Sequence, residues 1–252
     1  MHYEQYIARE VQAWQQKMLS GPSLVNQLSK AVQNRMNSII PEKVHKGITT
    51  TIKTMVQGVL FGAQYTSPKR RAFASLLELE EAVDKRIRVY KNAAAAEGGI
   101  TGAGGFWLVM ADFPILLSMK LKLLFDIAAL YGFDVKDYKE RLYILHIFQL
   151  AFSSQQHRRD VFLQMMDWEE KKQQLPDDVR QFDWRRFQQE YRDYIDLAKL
   201  GQMIPGIGAV VGLVVNYRLV NKLGETAKNA YRLRLMEQNR RSGQVKKTDL
   251  SL

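Results

Sequence analysis

Four histidines, His2, His45, His146 and His157, and one carboxylate set in an apolar run, Asp112, are where reaction chemistry would first be sought in this chain. None of the histidines flanks a glutamate in the helical pairing used by zinc hydrolases, and none has a second ligand at metal spacing. His146 stands in the apolar run from Leu142 to Phe152, where a hydrogen-bonded core histidine is the expected reading. There is no serine nucleophile elbow and no phosphate loop ending in Gly-Lys-Ser/Thr. Gly98 to Gly105 superficially resembles a dinucleotide turn, but no strand signal precedes it, so helix packing is preferred. Asp112 and Asp126 lie fourteen residues apart on one expected helix. That is about 21 Å along the axis, too far for an acid–base pair.

Asp112, Asn216 and Arg218 are the polar groups most closely bound to two apolar stretches, and they are read as a buried polar cluster. A buried carboxylate needs a partner or takes up a proton, and Arg218 and Lys120 are the candidates by position. A structural ion pair is favoured over a catalytic site. No metal and no cofactor is expected.

The stretches that would carry this cluster are rich in glycine. The first runs from Gly98 to Leu117 and contains Gly102, Gly104 and Gly105; the second runs from Ile204 to Tyr217 and contains Gly206, Gly208 and Gly212. Small residues let helix backbones approach closely, in a dry core or in a bilayer. Ile100 to Met119 is long enough to cross a membrane, but Asp112 and Pro114 fall near its middle. Met203 to Val215 is only 13 residues, which suits a buried core helix or a re-entrant segment. Core packing is the preferred reading, ahead of shallow surface insertion and of a true span.

Nearly every other segment reads as helix. An amphipathic helix spans roughly Tyr3 to Leu19, followed by breaks at Gly21-Pro22 and at Ile39-Ile40-Pro41. A long charged helix is expected from Ser67-Pro68 to about Ala96, ended by Gly98-Gly99. Gly132 should cap the next helix, and Asp134 or Asp137 should start the one that follows. Residues 154–174 look amphipathic, an aromatic-rich helix should run from 182 to 200, and a last helix should follow Pro205 into the basic tail. The expected fold is all-α: a single compact multi-helix domain over 1–252 with the two glycine-rich apolar helices at its centre. A basic C-terminal tail, free to fray, begins at about residue 237.

The chain carries 37 basic and 26 acidic residues, a formal charge of +11, and no cysteine. Absence of cysteine excludes a disulfide framework and fits a reducing compartment. The opening residues lack the basic and apolar regions of a secretory signal, so the chain reads as intracellular. From Tyr231 to Lys247 six cations, Arg232, Arg234, Arg240, Arg241, Lys246 and Lys247, face one anion, Glu237. They are the candidate contacts to an anionic lipid surface. Nucleic acid is not favoured, because no recognition motif is present and aromatics do not interleave with the basic tail.

Taken in order, several motifs resemble the EcsC family. They are Glu4-Gln5-Tyr6 through Trp14, Ile39 to His45, Gly98-Gly99 through Ala111-Asp112-Phe113-Pro114, and Asp126-Ile127-Ala128 with Tyr131 to Asp134. Glu140-Arg141 with Ile144-Leu145, Pro205 to Ala209 with Asn216-Tyr217, and Ala227 with Tyr231-Arg232 and Arg234 complete the set. The resemblance implies an intracellular bacterial protein from a family named after a gene beside those of an ABC transporter linked to secretion and membrane processes. It implies no catalytic residues. The expected function is a non-enzymatic accessory at the cytoplasmic membrane face, peripheral to the membrane, with anionic lipid and membrane transporter subunits as partners. The alternative is a lipid-binding protein or lipid hydrolase with a glycine-lined apolar cavity, Asp112 and Arg218 standing at its polar end.

Overall fold

The computed structural model describes residues 3–20, 42–61, 72–101, 105–153, 157–181, 183 and 209–249. Among them lie eight helices: α1 (Tyr3–Leu19), α2 (Glu42–Phe61), α3 (Leu76–Thr101), α4 (Gly105–Leu130), α5 (Tyr138–Phe152), α6 (Arg158–Met165), α7 (Trp168–Lys171) and α8 (Ala209–Asp249). Two short 3₁₀ turns, Lys172–Gln174 and Val179–Gln181, complete the regular structure, and the described residues include no strand. The all-α expectation holds.

Local sequence explains most boundaries. Ser75 caps α3 by accepting a hydrogen bond from the Glu78 N–H, while the Glu78 carboxylate reaches back to the Ala74 N–H. This reciprocal pairing satisfies donors that the first turn leaves open. α4 ends in a left-handed turn at Gly132, with φ +86°; the Gly132 N–H bonds to Ala129 O and the Phe133 N–H to Ala128 O. Only glycine adopts that conformation without strain. Asp137 then caps α5 by accepting from the Lys139 N–H at 2.9 Å. Gly132 and Asp137 therefore act as the sequence suggests.

Three boundaries differ from expectation. α3 starts at Leu76, where the Ser75 cap lies, and not at Pro68. It continues through Gly98-Gly99 to Thr101, so that glycine pair does not stop it. The segment before Leu175 is broken into α6, α7 and a 3₁₀ turn, with Asp167 held at φ 51° between the two helices. Apart from Asp183, the helix expected over residues 182–200 lies outside the described residues.

The core is centred on α5 and the middle of α8. In α5 only Lys139 and Arg141 escape full burial. Tyr143, Phe148 and Phe152 are wholly enclosed; each large side chain of this kind contributes about 1.5–3 kcal/mol when buried. α8 presents Val220, Leu223, Ala227, Ala230 and Tyr231 at helical spacing. It packs most extensively on α3 and also meets α4, α5 and α1. The α3–α8 pair is antiparallel and in regular register: Lys91 meets Asn221, Ile87 meets Gly224, Asp84 meets Lys228, and Glu80 meets Arg232. α1 closes over one end through Ile7 and Val11, and its Trp14 meets the Phe162 ring edge-on at 5.2 Å.

Of the glycine-rich segments, Gly102, Gly104, Gly206 and Gly208 lie outside the described residues. Gly105 and Gly212 fall within α4 and α8. The close approach expected between the two segments lies outside the described residues. Among the described residues no helix is long and apolar enough to cross a membrane.

Candidate functional site

Of the predicted polar cluster, Asn216 and Arg218 do not come together. Asn216 is completely buried on α8, while Arg218 is exposed. Two helical steps turn a side chain by roughly 200°, so these residues point to opposite sides of α8. Asp112 belongs to α4, and its side chain lies outside the described residues. Lys120, its other suggested partner, is buried.

The expected cationic end of α8 is corrected more sharply. Arg234 is 0% exposed and Arg232 nearly so; neither is available to a lipid surface. Arg234 donates two bonds of 2.9 Å to Glu140 and reaches Glu169 from Nε and Nη2. Its guanidinium lies over the rings of Phe133 and Tyr143, 3.9 and 4.4 Å from their centroids. Tyr231 also donates to Glu140, at 3.0 Å. Burial pushes the Glu140 carboxyl above its ordinary range, against the opposing pull of Arg234 and Tyr231. The helix face explains the placement, because Arg234 shares a stripe with Ala227, Ala230 and Tyr231.

Arg232 points to the other side, toward α1 and α3. Its Nε donates to Glu80 at 2.6 Å, Nη2 also bonds Glu80, and Nη1 reaches Glu10 at 3.1 Å and Asn229 at 3.2 Å. Tyr3 donates to Glu80 at 2.6 Å, and Lys228 spans Asp84 at 2.8 Å and Glu80 at 3.7 Å. Burial raises the Glu80 carboxyl, but the bonds from Arg232 and Tyr3 outweigh it and hold the group below its usual value. The sequence carries a faint signal of this network: Glu80 and Asp84 are spaced i, i+4 on α3, as Lys228 and Arg232 are on α8.

Of the remaining candidates, Arg241 is half-buried and pairs with Glu170 at 2.9 Å and Asp167 at 3.7 Å. Arg240 is exposed. The side chains of Lys246 and Lys247 lie outside the described residues. His146 is buried, with Nδ1 3.3 Å from Gln149 Oε1 and its ring edge against Trp168. Burial lowers its pKa to about 4, so it is a neutral core histidine. No group of three or more histidines and carboxylates among the described residues could hold a metal ion.

Arg232 also lines a cleft of about 740 Å³ where α1, the start of α3, the end of α4 and α8 converge. Its walls are largely apolar, with Ile7, Phe73, Leu79, Leu130, Leu235 and Met236, and Glu4 lies on its lining. Tyr131 forms part of it too, stacked on Tyr231 at 5.5 Å. The Tyr131 hydroxyl is enclosed, with the Arg232 guanidinium and the Glu80 carboxylate as its polar neighbours. Burial pushes this phenol well above its ordinary pKa, so it stays protonated and able to donate. A volume in this range, with few polar groups, suits a small ligand. None of Tyr131, Glu80 and Glu140 was singled out as a functional position from the sequence.

An all-helical protein with two internal arginine–carboxylate networks and an amphipathic cleft is the class that this geometry defines. The EcsC protein family model matches residues 5–236, and the chain belongs to that family. It is 45% identical to Protein EcsC of Bacillus subtilis (strain 168) over 235 residues, covering 93% of this chain and 97% of that protein. It is also 28% identical over 249 residues to the uncharacterized protein YdbA of the same organism, with 90% of each chain covered. No solved structure matches the chain.

Proposed function

We propose that this EcsC family protein is a non-enzymatic accessory at the cytoplasmic membrane face, working peripherally beside an ABC transporter or another secretion-related membrane process. One observation carries the reading. The internal networks enclose three cations, Arg232, Arg234 and Lys228, with three carboxylates, Glu80, Glu140 and Glu169, whereas Glu10 and Asp84 reach in from partly exposed positions. The enclosed charges cancel, so the formal excess of +11 is carried by the rest of the chain. Each cation held near an anionic leaflet adds about 1 kcal/mol.

Vesicle flotation tests this. The protein should float with anionic vesicles, more weakly as salt rises, and not with neutral ones. A triple variant, Arg240→Gln, Lys246→Gln and Lys247→Gln, should bind less; Arg232 and Arg234 are not part of this contact. Equal recovery with neutral and anionic vesicles would overturn the reading.

The cleft favours a second reading, as a lipid-binding protein. Here the apolar cavity is the one floored by Tyr131 and Arg232, and not one bounded by Asp112 and Arg218. Native mass spectrometry of the purified protein should then show a copurifying amphiphile.

A further inference from the structure

The seam between α3 and α8 sorts the side chains on either side of it. Asp84, Ile87 and Lys91 form the seam on α3; Tyr217, Asn221, Gly224 and Lys228 form it on α8. One position before these residues stand Val83, Asn216, Val220, Leu223 and Ala227, all buried. One position after them stand Lys85, Arg88 and Asn92 on α3 and Arg218, Lys222 and Glu225 on α8, all exposed. A step of one residue turns a helical side chain by about 100°, and on antiparallel helices the same sense of turn leads to the same side of the pair. The exposed set therefore shares one outer face.

That face is basic. Lys85, Arg88, Arg218 and Lys222 stand on it with the acid Glu225, and Lys91 adds its charge from the seam. Asp84 is already taken up by Lys228 at 2.8 Å. Lys85, Arg88 and Arg218 pair with no carboxylate among the described residues. Arg232, Arg234 and Arg241, in contrast, spend their charges on Glu80, Glu140 and Glu170. Two apolar groups project from the same region. Val89 is 53% exposed one turn on from Lys85, and Tyr217 is 40% exposed with Lys91 Nζ 4.4 Å from its ring centre. Arg240 is exposed eighteen positions beyond Lys222, five whole turns, so it continues the basic stripe along α8.

Two helices side by side present a long, shallow flank, which matches a planar anionic surface. Tyr217 is a poor stacking platform for nucleic acid bases, because Lys91 already occupies its ring face. We propose that the α3–α8 flank is the face that lies on an anionic membrane. Lys85, Arg88, Arg218 and Lys222 meet the lipid phosphates, α8 runs along the surface, and Val89 and the edge of Tyr217 enter the head-group layer. This rests on the peripheral-membrane reading and names its contact face.

The chain has no cysteine, so single labelling sites can be introduced without background. Val89→Cys on the flank and Leu163→Cys on α6, each coupled to an environment-sensitive nitrobenzoxadiazole dye, are titrated with phosphatidylglycerol–phosphatidylcholine vesicles and with phosphatidylcholine alone. The dye at position 89 should shift to the blue with the anionic vesicles only, and the dye at position 163 with neither. In flotation, Lys85→Gln, Arg88→Gln and Arg218→Gln together should weaken binding roughly a hundredfold, about fivefold for each cation. Arg88→Lys with Arg218→Lys keeps the charges and should bind like the native chain. Binding to anionic vesicles with no shift at position 89, with a shift at both positions, or with undiminished affinity of the triple variant would overturn the proposal and leave peripheral binding standing. A single-stranded oligonucleotide that strips the protein from the vesicles at equal phosphate concentration would overturn it in favour of nucleic acid. Absence of binding by the native chain would overturn both readings.

Discussion

A methyl group added to Gly224 would stand 2.7 Å from Cγ1 of Ile87 and 3.0 Å from its Cγ2. Both carbons branch from one Cβ, so rotating the isoleucine cannot clear the two contacts together. Gly224 thus sets how closely α8 approaches α3, and with it the register that joins Glu80 to Arg232 and Asp84 to Lys228. Gly224→Ala gains about 1 kcal/mol of helix propensity but overpacks the contact by about 1–3 kcal/mol. A net loss of about 1 kcal/mol is expected in urea unfolding. Pairing it with Ile87→Ala should remove the clash, and a double-mutant cycle should report strong coupling.

Glu140 and Arg234 form the most deeply buried ion pair described here, so leaving either alone is expensive. Glu140→Leu or Arg234→Leu should each cost about 3–5 kcal/mol, because the surviving charge loses its main interior partner, Arg234 keeping Glu169 alone and Glu140 only the Tyr231 hydroxyl. Replacing both together should cost less than the sum of the two. Denaturant unfolding of the three variants checks this, and a double change that costs as much as the two single changes added together would contradict it.

His146 should make stability fall in acid. Its folded-state pKa lies at about 4, against 6.5 for the free side chain. The unfolded chain therefore takes up the proton first. The contribution is complete above about pH 6.5 and is lost as pH falls toward 4, to a total of about 3 kcal/mol. Below the ordinary carboxylate range Glu80 and Glu169, both held low despite burial by bonds to basic partners, add losses of the same sign. His146→Phe should flatten the profile between pH 6.5 and 4.5. Thermal unfolding across that window measures the difference.

Asn216 presents the opposite case to the arginines, a fully buried amide with neither atom hydrogen-bonded. Such a group costs about 1–3 kcal/mol. Asn216→Leu, close in shape, should raise stability by an amount in that range. A loss instead would show that the amide has a partner in the working protein.

Much of the helical framework was legible in the sequence, because capping and periodicity are local. Tyr3 to Leu19, the Gly132 turn and the Asp137 cap follow from hydrogen bonds closed within a few residues. The start of α3 was misplaced because Pro68 suits a first turn, whereas the reciprocal Ser75–Glu78 cap is what begins the helix. The candidate site was not legible. Arg232 and Arg234 look like a solvated basic tail when charges are counted along the chain, and Asn216 and Arg218 look like neighbours. Helical rotation separates the second pair, and tertiary packing decides the fate of the first.

Composition and spacing by themselves established an all-helical, strongly basic chain, since helix signals are short-range and survive without knowledge of neighbours, and its motifs added a resemblance to the EcsC family. Which cations stay outside was settled only when α3 and α5 brought Glu80 and Glu140 across more than ninety residues to face Arg232 and Arg234. A buried guanidinium is tolerable solely beside such carboxylates, and that pairing is a property of the packed chain. The cleft beside Tyr131 arises in the same way, at a junction of four helices that no single segment encodes.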